Sequence, residues 1–115
     1  MKKIEQKMLN AIKESRCWKQ GNTRVTCTCI SYDMIFIEIK LYGSLIAVGK
    51  KNPATGETRV AVVPQCVRRY PTATTASRLR ALGFAVIRSK FDSRILVNGQ
   101  NMHFAKDLDI SKYWG

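Results

Sequence analysis

The hydrophobic positions along this chain switch between two periods. From residue 2 to 17, Ile4, Met8, Ala11 and Ile12 recur three and four apart, with Ser15 in phase. Lys2, Lys3, Lys7, Lys13 and Arg16 fall elsewhere. That spacing predicts an amphipathic helix. Trp18-Lys19-Gln20-Gly21-Asn22 closes it, with Gly21 as the stop signal. From Thr23 to Ile30 the period becomes two: Val25, Cys27 and Cys29 fall on one side, Arg24, Thr26 and Thr28 on the other. This is the pattern of a half-buried strand. Ser31-Tyr32-Asp33 makes a short hairpin connection. Met34 to Leu41 is a second strand, with Ile35, Ile37, Ile39 and Leu41 inward and Met34, Phe36, Glu38 and Lys40 outward. Tyr42-Gly43-Ser44 turns the chain into a third strand, Leu45 to Val48.

Residues 49–57 hold two glycines, a proline and an asparagine, and read as a loop carrying Lys50 and Lys51. Thr58 to Val63 is a fourth strand, ended by Pro64. Pro71 marks a turn, and either Thr72 or Thr74 can cap a short helix over 75–82, because a hydroxyl accepts from a free first-turn amide. Ala76, Leu79 and Leu82 form its inward stripe, Arg78 and Arg80 lie off it, and Gly83 stands at the stop position. Phe84 to Lys90 and Arg94 to Asn98 predict a second hairpin, and Met102 to Phe104 a short further strand after Asn98-Gly99. An apolar tail over 106–115 can fold back on the core or dock on a neighbouring subunit. The expectation is one α+β domain over residues 1–115: an antiparallel β-meander with an N-terminal helix and a short second helix, followed by a C-terminal hairpin. With helices on one face, the other face of the sheet is left for binding or self-association.

Charge gives that free face a meaning. Twenty basic residues against eight acidic ones leave +12, well beyond what solubility needs. Such an excess implies a polyanionic partner. Residues 50–94 hold ten basic and two acidic side chains, so most of the field arises there, and these cations are expected to share a surface. The candidate nucleic-acid contacts are Arg24, Lys50, Lys51, Arg59, Arg68, Arg69, Tyr70, Arg78 and Arg80. Tyr70 sits in a turn beside two arginines; Tyr42, Trp18, Phe36 and Phe91 are further platforms on which a base can stack. For Trp18, packing the helix end onto the sheet is the expectation, ahead of stacking on a base. A short second helix with no helix-turn-helix partner favours single strands over duplex readout. The N-terminal helix has too narrow an apolar face for a membrane role.

Catalytic and metal constellations are missing from the pattern. The acids are dispersed, His103 is the sole histidine, and no phosphate-binding glycine loop occurs. Cys17, Cys27, Cys29 and Cys66 lack the paired spacing of a zinc site. No enzyme activity, metal or cofactor is expected, and the thiols read as reduced, in the cytoplasm of a host cell.

Four stretches resemble small proteins of tailed bacteriophages: Met8-Leu9-Asn10-Ala11-Ile12, Trp18 to Val25, Leu41 to Ala47 and Thr74 to Leu82. Among such proteins is the single-stranded-DNA-binding cofactor with which a phage-encoded early RNA polymerase opens promoters. The resemblance implies a homo-oligomer that coats or melts DNA in support of viral transcription or replication, with the polymerase as a partner. The alternative is a phage inhibitor that binds a host protein.

Overall fold

A computed structural model describes residues 2–63, 72–88, 95–97 and 100–101. Helix α1 runs Lys3–Lys13 and buries Met8, Ala11 and Ile12, as its spacing requires. It ends four residues before the expected boundary. Ser15 adopts φ +56, with its amide on the Ile12 carbonyl and the Arg16 amide on the Ala11 carbonyl at 2.9 Å. Those two bonds close the helix as a left-handed C-terminal motif. The segment after it, expected to be the stop, is instead a short strand, β1 Trp18–Gln20.

β1 opens an antiparallel meander with β2 Thr23–Ser31, β3 Met34–Leu41, β4 Ser44–Lys51 and β5 Thr58–Val62, in sheet order β1-β2-β3-β4-β5. Cross-strand partners share a face. Val25, Ile39, Ala47 and Val62 therefore form one inward row, and Cys27, Ile37, Gly49 and Val60 the next. A bulge in β4, where Ile39 pairs Ala47 and Lys40 pairs Leu45, sends both Ile46 and Ala47 to the core. Gly49, expected in the loop, lies inside β4. A side-chain carbon there would come within 2.9 Å of the Arg59 carbonyl, so the strand is spaced for glycine alone.

Helix α2, Ala73–Ala81, is capped by Thr72, whose hydroxyl accepts from the Thr75 amide at 3.1 Å. It ends with the same motif as α1, here through Gly83 at φ +101, with the Phe84 amide on the Leu79 carbonyl. The strands β6 Val86–Arg88, β7 Ile95–Val97 and β8 Gln100–Asn101 form a small antiparallel sheet, in which β6 and β7 are the C-terminal hairpin expected from the sequence. The expected strand over 102–104 and the tail lie outside the described residues. Met8, Ala11 and Ile12 from α1, Ala76 and Leu79 from α2, and Phe84 and Val97 meet the inward rows in one core. Both helices thus cover one face of the large sheet. Trp18 is half-buried and packs against this core.

The two helix ends differ in one respect: α2 uses glycine in the left-handed position and α1 uses serine. A side chain at positive φ costs stability that glycine does not. Ser15→Gly is therefore expected to stabilise the fold by about 0.5–1 kcal/mol, read as a higher urea midpoint with an unchanged slope.

Candidate nucleic-acid interface

The face of the large sheet away from the helices follows from the register. Lys19 pairs Arg24 and Arg24 pairs Lys40, so three cations on adjacent strands line up across one end. Thr28, Phe36, Lys50 and Arg59 form a second row nearer the other end. Between them lie Thr26, Glu38, Val48 and Ala61. Glu38 is the acid within these paired rows, and Asp33 and Glu57 line a hollow with Lys50 and Arg59 at the far end.

The row of Lys19, Arg24 and Lys40 is the better-formed of the two. None of the three is ion-paired with a described residue. Lys19 and Arg24 are exposed and Lys40 is half-buried. They line a cleft of about 410 Å³ with Asn22, Tyr42 and Gly43. Its walls are the two tight turns at that end of the sheet, residues 21–22 and 42–43. Tyr42 is 72% exposed and holds φ +53, a backbone region that tyrosine rarely occupies. Positive φ at both turn residues, Tyr42 and Gly43, gives a turn whose twist matches the right-handed twist of the flanking strands, and it presents the ring at the rim of the cleft. The turns are joined directly, because the Tyr42 amide donates to the Asn22 carbonyl at 2.8 Å.

A buried ion pair anchors this joint from behind. Arg78 on α2 is 4% exposed, as is Glu5 on α1. Arg78 Nη1 donates to Glu5 Oε2 at 2.8 Å, and Ser77 Oγ donates to the same oxygen at 2.5 Å. Arg78 Nε donates to Thr23 Oγ1 at 3.0 Å, and its Nη2 reaches Asn22 Oδ1 at 3.5 Å. Burial pulls the Glu5 carboxyl upward, but the hydrogen bonds from Ser77 and Arg78 and the guanidinium charge outweigh it, so its pKa lies below the ordinary carboxylate value. The chain from Glu5 through Arg78 and Asn22 to Tyr42 fixes where the cleft's walls stand.

Arg78 was expected on the surface as a phosphate contact, and the structure corrects that: its guanidinium is committed to Glu5, Thr23 and Asn22. Lys51 is also diverted, since its register faces the helix layer and its Nζ donates to the Lys13 carbonyl at the end of α1. A cation there satisfies an open carbonyl and the negative end of the helix dipole. Arg80 is exposed but its Nε donates to the Val86 carbonyl at 3.1 Å, on the helix side of the molecule. Lys50 and Arg59 do share the open face, at the end opposite the cleft. Arg68, Arg69 and Tyr70 lie outside the described residues. The expected gathering of the residue 50–94 cations on a single surface is therefore not met among the described ones. The coherent row comes from the first half of the chain, and Lys19 and Lys40, which are not among the sequence candidates, complete it.

The family model for the Kyanoviridae Gp96 protein matches residues 1–110. The chain belongs to that family, a family of cyanophage proteins. The likeness to tailed-phage proteins read from the sequence thus holds at the level of a phage protein. No curated protein and no solved structure matches the chain. Among the described residues, no helix is long and apolar enough to cross a membrane, and no group of three or more histidine, cysteine or acidic side chains is placed to hold a metal ion.

Proposed function

We propose that this Gp96-family protein binds nucleic acid on the open face of its five-stranded sheet, with single-stranded DNA as the favoured ligand, in support of viral transcription or replication. The observation that carries the reading is the aligned row Lys19–Arg24–Lys40, without ion pairs to described residues, beside the exposed ring of Tyr42. Cations at strand spacing match a phosphate backbone, and an aromatic at the rim offers a surface on which any base can stack. A single strand can splay its bases onto such a surface, whereas duplex readers insert a helix into a groove. Here α2 is nine residues long and is held to α1 by its buried arginine.

The test is fluorescence anisotropy with single-stranded DNA, duplex DNA and RNA of equal length at two salt concentrations. Single-stranded DNA is expected to bind tightest. Its log K should fall against log salt with a slope of about −2, from three neutralised phosphates. No binding at low salt removes the reading.

Tyr42 supplies a sharper check. Tyr42→Asn places a residue that tolerates positive φ, and should stabilise the fold by about 0.5 kcal/mol. The same change removes the stacking ring and should weaken single-strand binding about tenfold. Stability and affinity moving in opposite directions would mark the ring as kept for the ligand.

A second reading, a protein-binding factor directed at a host target, is favoured by the β2–β3 hairpin tip. Ile30 is 61% exposed, Tyr32 91% and Met34 36%. Ile30→Ser with Tyr32→Ser should leave nucleic-acid affinity unchanged if the cation row is the binding surface, and a loss of that affinity would move the site to the tip.

A further inference from the structure

Behind the cation row, two thiols approach each other across the first hairpin. Cys17, just ahead of β1, places Sγ 3.5 Å from the Cys27 amide nitrogen and 3.6 Å from the Cys27 carbonyl oxygen. Cys27 on β2 in turn directs Sγ at the Arg16 carbonyl, 3.8 Å away, on the peptide that leads into Cys17. Cys17 Sγ thus lies against the Cys27 backbone, and Cys27 Sγ against the carbonyl just ahead of Cys17. Cys17 takes up the β2 groups that a longer β1 would have bonded. Sulfur–sulfur closure needs each Sγ to rotate off these main-chain partners toward the other. Cys29, two residues further along β2, directs its Sγ at the Ser31 carbonyl at 3.4 Å, toward the hairpin tip.

We propose that Cys17 and Cys27 are a reversible thiol–disulfide pair, oxidised by a small disulfide of the glutathione type. The pairing is independent of the nucleic-acid reading. Cys17 is exposed and meets the reagent first. Its thiolate attacks one sulfur of oxidised glutathione, the glutathione bond breaks, and one glutathione leaves as thiolate and takes up a proton. Cys27 then loses its proton and attacks the Cys17 sulfur of the mixed disulfide. The second glutathione leaves, and the protein disulfide is formed. Two protein thiols are oxidised and one glutathione disulfide is reduced to two thiols. Burial first, and then the neighbouring Cys17, push the Cys27 thiol above its ordinary pKa, with Lys51 pulling the other way. Cys27 accordingly acts as the second, intramolecular partner, where proximity compensates for a small thiolate fraction. The finished bond ties the lead-in of β1 to β2 directly behind Lys19 and Arg24, which line a shared hollow with Cys17 and Trp18.

The experiment treats the full chain with oxidised glutathione, blocks remaining thiols, and digests with trypsin without reduction. Cleavage after Arg16, Lys19, Arg24 and Lys40 puts Cys17 in peptide 17–19 and Cys27 with Cys29 in peptide 25–40. The expected product is those two peptides joined, and separated again by dithiothreitol. The joined species should persist in Cys29→Ser and in Cys66→Ser. It should vanish in Cys27→Ser and in Cys27→Ala, the latter keeping a small apolar group at a half-buried position, with glutathione left on Cys17. A wild-type chain that stops at the glutathione adduct overturns the proposal, as does a cross-link that survives either Cys27 variant.

Discussion

Arg78→Ala is expected to cost about 3–5 kcal/mol, because it leaves the Glu5 carboxylate buried with its main cation removed. For a domain of this size that is a large part of the whole stability, so the variant should melt far lower or fail to fold at growth temperature. The cost comes chiefly from the orphaned charge rather than from a net gain by the intact pair. Glu5→Leu combined with Arg78→Met should therefore recover much of the loss, and a double-mutant cycle by urea unfolding would measure it. A double variant no more stable than Arg78→Ala would put the cost in the lost bonds to Thr23 and Asn22. The same pair sets a pH dependence. The folded carboxyl of Glu5 has a pKa below the 4.5 of an ordinary glutamate. Its contribution is therefore complete above that value and is lost as pH falls through the folded pKa. Glu5→Gln should be less stable at neutral pH and show a shallower loss of stability on acidification. An acid limb identical to that of the unaltered chain would place the titration elsewhere.

Reversing the row, with Lys19→Glu, Arg24→Glu and Lys40→Glu together, should lower affinity for single-stranded DNA by at least about 100-fold at low salt and flatten the salt slope. Lys19 and Arg24 are exposed and Lys40 half-buried, and none is ion-paired among the described residues, so the fold should lose little. The companion experiment reverses Lys50 and Arg59 at the opposite end of the face. A larger effect there would move the binding surface along the sheet. A drop in melting temperature matching the loss of affinity would make the first row structural.

The order of elements was legible because periodicity is written residue by residue. Ile35, Ile37, Ile39 and Leu41 announce β3, and Thr72 and Gly83 bracket α2. What escaped was set by contacts distant in sequence. Glu5 lies in phase with Met8 and Ile12, three and seven residues on, so an acid was being carried into the core and needed a buried cation. That phase is the sequence signal for a buried pair between an acid and an arginine. The row of Lys19, Arg24 and Lys40 exists only once β1 is paired with β2. Reading Trp18–Gln20 as the end of a helix therefore concealed it. Ser15, which carries no glycine signal, ended α1 early and freed those residues for the sheet. Gly49 reads as a loop residue because glycine usually breaks strands, whereas here a crowded strand requires it.

The two margins of the large sheet each carry a cation: Lys19 at the middle of β1 and Arg59, the second residue of β5. Two copies approaching margin to margin would bring like charges together while offering only three residues of backbone on the β1 side. Such charged, abbreviated borders discourage open-ended polymerisation into ribbons. Self-assembly through the described strand borders is therefore disfavoured, and concentrated stocks should stay clear at low ionic strength, where the mutual repulsion is strongest.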